Sequence, residues 1–191
     1  MRLSSSLVLC RCRDVFAAPA ISFFRVLAYY FKVLELVYEN QTGDMLWSED
    51  FFREVIDSAC THLNLDNKTV ELGFYLVTPE RSRELNKQHR QKDKPTDVLS
   101  FPLNERGLEK YGILPLGDIF ICLKIAQQQA DEVNVPLNQE LARLVVHGLL
   151  HLIGYDHPDD EVSGPRLKRR GEKMIDLQEE ILQTIFKHLN I

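Results

Sequence analysis

One strand-like run that leads straight into a helix start restricts the fold of this chain more than any other feature. Residues 69–77 consist largely of Val, Leu, Phe and Tyr, which favour extended structure. Thr78 follows as a helix N-cap residue, and Pro79 and Glu80 suit the first helical turn. A strand joined to a helix with no linker predicts a layered fold in which helices pack on a sheet.

Strand and helix signals alternate along most of the remaining chain. With 191 residues, of which 45% are hydrophobic, the chain can bury one substantial core. The pattern therefore predicts a single α/β (α+β) domain, with several helices on one small mixed sheet. Further strands are predicted at residues 33–38, 97–103 and 118–123, and helices from Ser48, over 78–89 and 126–133, from Pro136 and over 164–189.

The charge of the chain limits its partners. The formal net charge is -5, so the molecule as a whole offers no broad attraction to nucleic acid or to an anionic membrane. Any contact with a polyanion must come from a local basic patch. The most apolar stretch, residues 16–31, is short and contains Arg25, so no membrane span is expected. No nucleotide cofactor is expected either.

The first 32 residues differ from the rest and form a basic N-terminal extension to a domain at 33–191. Three interpretations of this extension stay open: an organellar transit peptide, a start codon assigned too far upstream, and a disordered or loosely helical segment. The extension contains Arg2, Arg11, Arg13, Arg25 and Lys32 against one acid, Asp14.

The four cysteines predict ordinary reduced thiols. Cys10, Cys12, Cys60 and Cys122 lack the paired spacing of a zinc ribbon, and a disulfide framework is not expected. A cytoplasmic location follows, with the mitochondrion or a plastid as the alternative if residues 1–32 are a transit peptide.

Three of the six histidines lie within eleven residues, at His147, His151 and His157. Two histidines four apart on a helix share one face, where both imidazoles can reach one ion at Zn–N distances of about 2.0–2.1 Å. Gly154 can end the helix in a left-handed turn and bring the chain back toward the ion. This spacing predicts a metal site, most simply zinc, at a helix C-terminus.

Three histidine ligands leave a tetrahedral ion one open position for water or substrate, as in catalytic zinc sites. Asp156 is a candidate fourth ligand or an acceptor that orients an imidazole. The spacing is similar to that of metzincin peptidases, but their general-base glutamate is replaced here by Gly148. Peptide hydrolysis, or another metal-dependent hydrolysis, is therefore the second hypothesis.

Three blocks of sequence resemble a different family more closely. Residues 147–157 read HGLLHLIGYDH, residues 85–102 read LNKQHRQKDKPTDVLSFP, and residues 116–119 read LGDI. Together they resemble the YbeY family of metal-dependent endoribonucleases, over about residues 33–190. The resemblance implies a small α/β domain that binds one zinc ion through His147, His151 and His157.

The resemblance also implies a function. Members of the family cleave single-stranded RNA in ribosomal RNA maturation, particularly at the 3′ end of the small-subunit RNA, and act in ribosome quality control. Ribosomal RNA and the ribosome or its proteins are therefore the expected partners. By position, the functionally important arginine of the family falls on Arg90, and we expect Arg90 and His147 to be catalytic.

The chemistry of RNA cleavage suits these residues. A divalent ion can polarise a phosphate oxygen and activate water, and an arginine fork can clamp the scissile phosphate. Attack by water and attack by the RNA 2′-hydroxyl both stay open, because no general base is evident. Cations expected to bind the RNA backbone are Lys87, Arg90, Lys92 and Lys94.

Other charged residues have less specific interpretations. Asp118, at a predicted strand end, can orient a ligand, receive a proton or make a structural hydrogen bond. A second basic cluster suits a solvated face or a ribosomal contact: Arg166, Lys168, Arg169 and Arg170. A third hypothesis is a noncatalytic ribosome-assembly factor with a structural metal. The native metal, the cleavage position and the oligomeric state stay open.

Overall fold

The computed structural model describes residues 33–103, 108–155 and 165–191, with the side chains of Val33, Glu109 and residues 165–172 excepted. The predicted extension at residues 1–32 lies outside these ranges and stays a prediction. In the described ranges, four strands alternate with five α-helices and one short 3₁₀ turn at Glu109–Tyr111. The strands are β1 (Val33–Asn40), β2 (Thr69–Val77), β3 (Val98–Pro102) and β4 (Ile113–Cys122), and the helices are α1 (Glu49–His62), α2 (Pro79–Arg90), α3 (Leu123–Val133), α4 (Leu137–Leu152) and α5 (Pro165–Leu189).

The four strands form one mixed sheet in the order β1-β2-β4-β3. Strands β1, β2 and β4 run parallel to one another, and β3 pairs antiparallel with β4 at the edge of the sheet. The predicted fold class, helices on one small mixed sheet, is confirmed. None of the helices in the described ranges combines the length and hydrophobicity needed to cross a bilayer.

The two faces of the sheet pack against different helices. On one face, side chains such as Phe74 and Ile119 join a core with Phe52 of α1 and with α4 and α5. Neighbouring strand residues point to opposite faces. The His89 ring of α2 lies 4.7 Å from the Phe101 ring, whereas α4 contacts the adjacent Ser100. Helices α2 and α4 therefore approach the edge strand β3 from opposite faces.

Strand β4 begins at Ile113, five residues earlier than its predicted start at Asp118. Pro115, in the part of β4 that was not predicted, is paired with Glu71 just before the register shifts by one residue. A β-bulge is one of the few places where a sheet accommodates proline. Gly117 follows with φ +123°, and an added Cβ would lie 2.1 Å from the Phe101 carbonyl oxygen.

Two helix starts also differ from their predictions. Helix α1 begins after Ser48 as expected, but the Ser48 side chain makes no capping hydrogen bond. Helix α3 begins at Leu123 rather than Ala126, because β4 passes into it without a linker. Thr78 does cap α2, where its hydroxyl oxygen accepts from the Arg81 amide at 3.3 Å. Cys60 and Cys122 are buried thiols.

Candidate functional site

After its first turn, helix α4 is apolar apart from one polar stripe. The stripe consists of Glu140, Arg143, His147 and His151, at spacings of three, four and four residues that keep them on one side of a helix. Glu140 is only 4% exposed, and the Arg143 guanidinium binds both of its carboxylate oxygens, with Nε to Oε2 at 2.8 Å. This pairing raises the pKa of Arg143. The stripe is thus anchored at one end by an ion pair between a buried carboxylate and a half-buried guanidinium.

His147 and His151 face each other at the other end of the stripe. Their ring centroids are 4.7 Å apart with the planes at 83°, and their Nε2 atoms are 3.2 Å apart. His147 Nδ1 lies 2.9 Å from the Gln178 Oε1 atom of α5, and His151 Nδ1 lies 3.0 Å from the Tyr155 carbonyl oxygen. Because both partners are acceptors, Nδ1 carries the hydrogen in each ring and the two Nε2 lone pairs converge.

This geometry fits a shared divalent ion. Two nitrogens bound about 2.0–2.1 Å from one tetrahedral zinc ion lie about 3.3–3.4 Å apart. The observed Nε2 separation is 3.2 Å. The described ranges contain no group of three candidate metal-ligating side chains. His157 and Asp156 lie outside these ranges, so their roles as third ligand and as additional ligand or acceptor stay predictions.

Gly154 shapes the helix end beside this pair. Its φ is +92°, its amide donates to the His151 carbonyl at 3.0 Å, and the Tyr155 amide donates to the Leu150 carbonyl at 2.9 Å. These two bonds form a Schellman motif, which ends α4 as the sequence predicted. The same turn presents the Tyr155 carbonyl to His151, a role that the sequence did not reveal. Gln178 was also missed, since it lies 31 residues from His147.

Gly148 lies where α4 packs most closely on the sheet. A Cβ added there would lie 3.1 Å from Ser100 Oγ and 3.1 Å from Ile119 Cδ1. A glutamate side chain has no room at this position, so the general base of the metzincin pattern cannot be restored by substitution alone. The close packing also explains why the helix carries glycine in its interior, despite a cost of about 1 kcal/mol relative to alanine.

The predicted RNA-binding cations lie at the end of α2 and in the loop that follows it. Gln91, with φ +58°, ends the helix directly after the exposed Arg90. The Asn86 side-chain amide donates to the Lys94 carbonyl at 2.7 Å, and Asn86 is 2% exposed. A buried amide therefore holds the backbone of this basic loop against the helix.

A second buried side chain, one turn earlier in α2, also holds the loop. Ser82 is 2% exposed, and its hydroxyl both donates to the Thr96 carbonyl at 2.7 Å and accepts from the Thr96 amide at 3.0 Å. These hydrogen bonds thus hold the backbone of the loop in place, although the side chains of its cations reach into solvent. The sequence indicated the charges but not this support.

The four cations are not equivalent. Lys87 Nζ lies 2.9 Å from one oxygen of Asp93, and Arg83 Nε lies 2.7 Å from the other. The single negative charge of Asp93 is thus shared between Lys87 and Arg83, and it offsets the charge of Lys87 only in part. Within the described ranges, no ion pair involves the side chains of Arg90, Lys92 or Lys94. These three are the available cations for a phosphate backbone.

We expect the Asp93 carboxyl to titrate near pH 2. Hydrogen bonds from Arg83 and Lys87 lower the pKa of Asp93 from 3.8 to about 2. Because the folded pKa is depressed, the stabilisation is complete above pH 3.8 and disappears as the pH falls through about 2. Carbon-detected NMR of the side chain measures this value. A Lys87→Ala, Arg83→Ala double variant should return it toward 3.8, and an unchanged value would contradict the ion pairs.

Asp118 lies away from the histidine pair. It is paired with Gly73 and Phe101 across the sheet, and it alternates with Ile119, which faces α4. Its side chain is therefore on the α2 side of the sheet, where burial raises its pKa. Of the second basic cluster, Arg166, Lys168, Arg169 and Arg170 fall in α5, but their side chains lie outside the described part of the structure.

The family model and the sequence relatives agree on one family. Residues 37–185 match the family model described as Endoribonuclease YbeY. A Persephonella marina protein named Endoribonuclease YbeY is 39% identical over 150 residues, which cover 78% of this chain and 92% of that protein. An Aquifex aeolicus protein of the same name is 41% identical over 141 residues, covering 74% and 86%. The solution structure of TM1509 from Thermotoga maritima matches with a TM-score of 0.54 and 25% identity, covering 81% of this chain and 91% of that one.

Proposed function

This chain belongs to the YbeY family of endoribonucleases, and from that premise we propose that it is a zinc-dependent endoribonuclease that cleaves single-stranded RNA. The observation that carries the proposal is the His147–His151 pair, whose Nε2 atoms converge at 3.2 Å. We further propose that its substrate is ribosomal RNA, in particular the 3′ end of the small-subunit RNA, and that it acts on or near the ribosome. The family resemblance supports this setting.

One zinc ion per chain would be held by His147, His151 and His157. When bound, the ion supplies Lewis-acid polarisation of a phosphate oxygen and a lowered pKa for a bound water. Gln178 and the Tyr155 carbonyl hold the two described rings in the Nδ1–H tautomer, which directs Nε2 toward the ion. Imidazoles held in this way need little reorganisation when the ion binds.

Arg90 would bind the scissile phosphate. The Arg90 side chain is exposed and has no ion-pair partner among the described residues. Arg90 directly follows His89, whose ring packs on Phe101 of β3. The histidines approach the same edge strand from its other face through α4. A single-stranded RNA that follows the outer edge of β3, which pairs with no other strand in the described ranges, could therefore contact both groups, with Lys92 and Lys94 binding neighbouring phosphates.

We expect Arg90→Ala to lower kcat/KM for a short single-stranded RNA by about 10- to 150-fold. The range corresponds to the loss of about 1.5–3 kcal/mol of charge-assisted hydrogen bonding to phosphate. The assay follows an end-labelled RNA oligonucleotide with zinc-loaded protein. The matched control is Arg81→Ala on the same helix, whose guanidinium already pairs with Glu84 at 2.6 Å, and its activity should stay within about twofold.

The same assay separates the proposed function from its rivals. The wild type should cut single-stranded RNA, spare duplex RNA and casein, and lose activity with a chelator. Cleavage of casein instead of RNA would indicate the peptidase hypothesis. Intact RNA under every metal condition, with zinc still bound, would indicate a noncatalytic assembly factor and would overturn the proposal.

We expect Gln178→Leu to weaken zinc binding by about 10- to 100-fold. Gln178 is 8% exposed, and it is the acceptor that orients His147. Loss of a hydrogen bond to a metal-ligating histidine typically has this effect on affinity. Competition with a chromogenic chelator measures the affinity, and circular dichroism checks folding. Gln183→Leu, on an exposed site of the same helix, should bind zinc like the wild type; equal affinities in all three proteins would remove Gln178 from the site.

A further inference from the structure

A cavity of about 450 Å³ lies between α3, α4 and α5, apart from the histidine pair. Apolar side chains line the cavity on both sides. Its volume lies within the range of about 300–1,000 Å³ that is typical of ligand pockets. The walls are Val133, Val135, Leu182 and Phe186. Val133 is 64% exposed, which leaves apolar surface in contact with water beside the cavity. A bound apolar chain would remove that surface from solvent.

The charge of this cavity is negative. The exposed carboxylates of Glu132 and Glu179 lie on its rim, one on α3 and one on α5. Glu140 also lines it, but its charge is balanced by Arg143. Arg143 is the one basic residue among the lining side chains of the described structure. The lining therefore carries three carboxylates against one guanidinium, a formal charge of −2.

A cavity with apolar walls and a negative rim favours a ligand that carries a positive charge at the end of an apolar chain. An RNA phosphate would be repelled by the two rim carboxylates, so this cavity is not an extension of the RNA site. An arginine side chain has three methylene groups to lie against the apolar walls, and a planar fork that can reach two carboxylates at once. We propose that the cavity is a docking site for an arginine of a basic protein segment.

The location makes such a partner relevant to the histidine pair. Arg143 precedes His147 by four residues, which is about 6 Å along a helix. Glu179 directly follows Gln178, the residue that contacts His147. A bound segment would therefore lie about one helical turn from the site. The inference goes beyond the proposed function, and its test measures binding without any RNA or zinc-dependent reaction.

The test is a titration of the full chain with acetyl-Leu-Arg-amide, followed by two-dimensional ¹H–¹⁵N NMR. We expect saturable shifts centred on Val133, Gln139, Leu182 and Phe186. Acetyl-Leu-citrulline-amide has the same shape without the charge and should bind at least about fivefold more weakly. Glu132→Gln with Glu179→Gln should weaken binding of the arginine probe by about fivefold, which corresponds to about 1 kcal/mol and is of the size expected for two exposed ion pairs.

The control variant removes the same charge elsewhere. Glu54→Gln with Asp176→Asn changes two exposed acids that do not line the cavity, and its affinity for the arginine probe should equal that of the wild type. Equal binding of the citrulline probe, equal weakening in both double variants, or shifts at Arg90 and Lys92 instead would each overturn the proposal.

Discussion

Replacement of His147 by alanine is expected to abolish zinc binding and to lower RNA cleavage by at least about 10³-fold. The substitution removes one of two converging Nε2 atoms that lie 3.2 Å apart. A bound divalent ion contributes several kcal/mol of charge stabilisation, and about 4 kcal/mol corresponds to a factor of about 10³ in rate. Metal analysis should give less than about 0.1 equivalent of zinc per chain, against one for the wild type.

Folding must be checked in the same variant. Without His147, the Gln178 side chain loses its hydrogen-bond partner in a buried position, which costs about 1–3 kcal/mol. The variant should still unfold cooperatively, at a lower temperature. His188→Ala, on an exposed site of α5, should keep both zinc and activity. Full RNA cleavage by a folded, zinc-free His147→Ala protein would refute the metal-dependent mechanism.

Substitution of Gly148 by glutamate should cause the largest loss of stability of any change at this site. The new Cβ would meet Ser100 Oγ and Ile119 Cδ1, both at 3.1 Å, and the carboxylate would be buried against β3 and β4. An uncompensated buried charge costs about 3–5 kcal/mol, with overpacking in addition. The total is about 4–8 kcal/mol, so we expect the melting temperature to fall by roughly 8–32 °C, at about 2–4 °C per kcal/mol. No peptidase activity should appear.

A graded series separates packing from charge. Gly148→Ala adds only the Cβ, so its gain in helix propensity of about 1 kcal/mol is opposed by overpacking of about 1–3 kcal/mol. We expect a net loss of at most about 2 kcal/mol. Adding Ser100→Gly removes the hydroxyl that the new Cβ approaches, and should recover part of the loss. A glutamate variant as stable as the wild type would show that α4 can move away from the sheet.

Local sequence patterns predicted correctly those helix ends that depend on interactions within one helical turn. Thr78 and Pro79 predicted the start of α2 because capping and proline geometry act within one turn. Gly154 predicted the end of α4 for the same reason. The early start of β4 was missed, because Pro115 is accommodated at a bulge that depends on pairing with Glu71, 44 residues earlier. Pairing between distant strands cannot be read from a local pattern.

The histidine spacing, the basic loop and the family resemblance could be inferred from the sequence alone, since each depends on short runs of consecutive residues. Only the tertiary structure decided which groups support them. Gln178 orients His147 from another helix, Asp93 forms an ion pair with Lys87, and Ser100 leaves little room for a side chain at Gly148. These contacts join residues 6 to 48 positions apart in the chain. Whether such residues meet depends on how whole helices and strands pack together, and no single stretch of sequence encodes that packing.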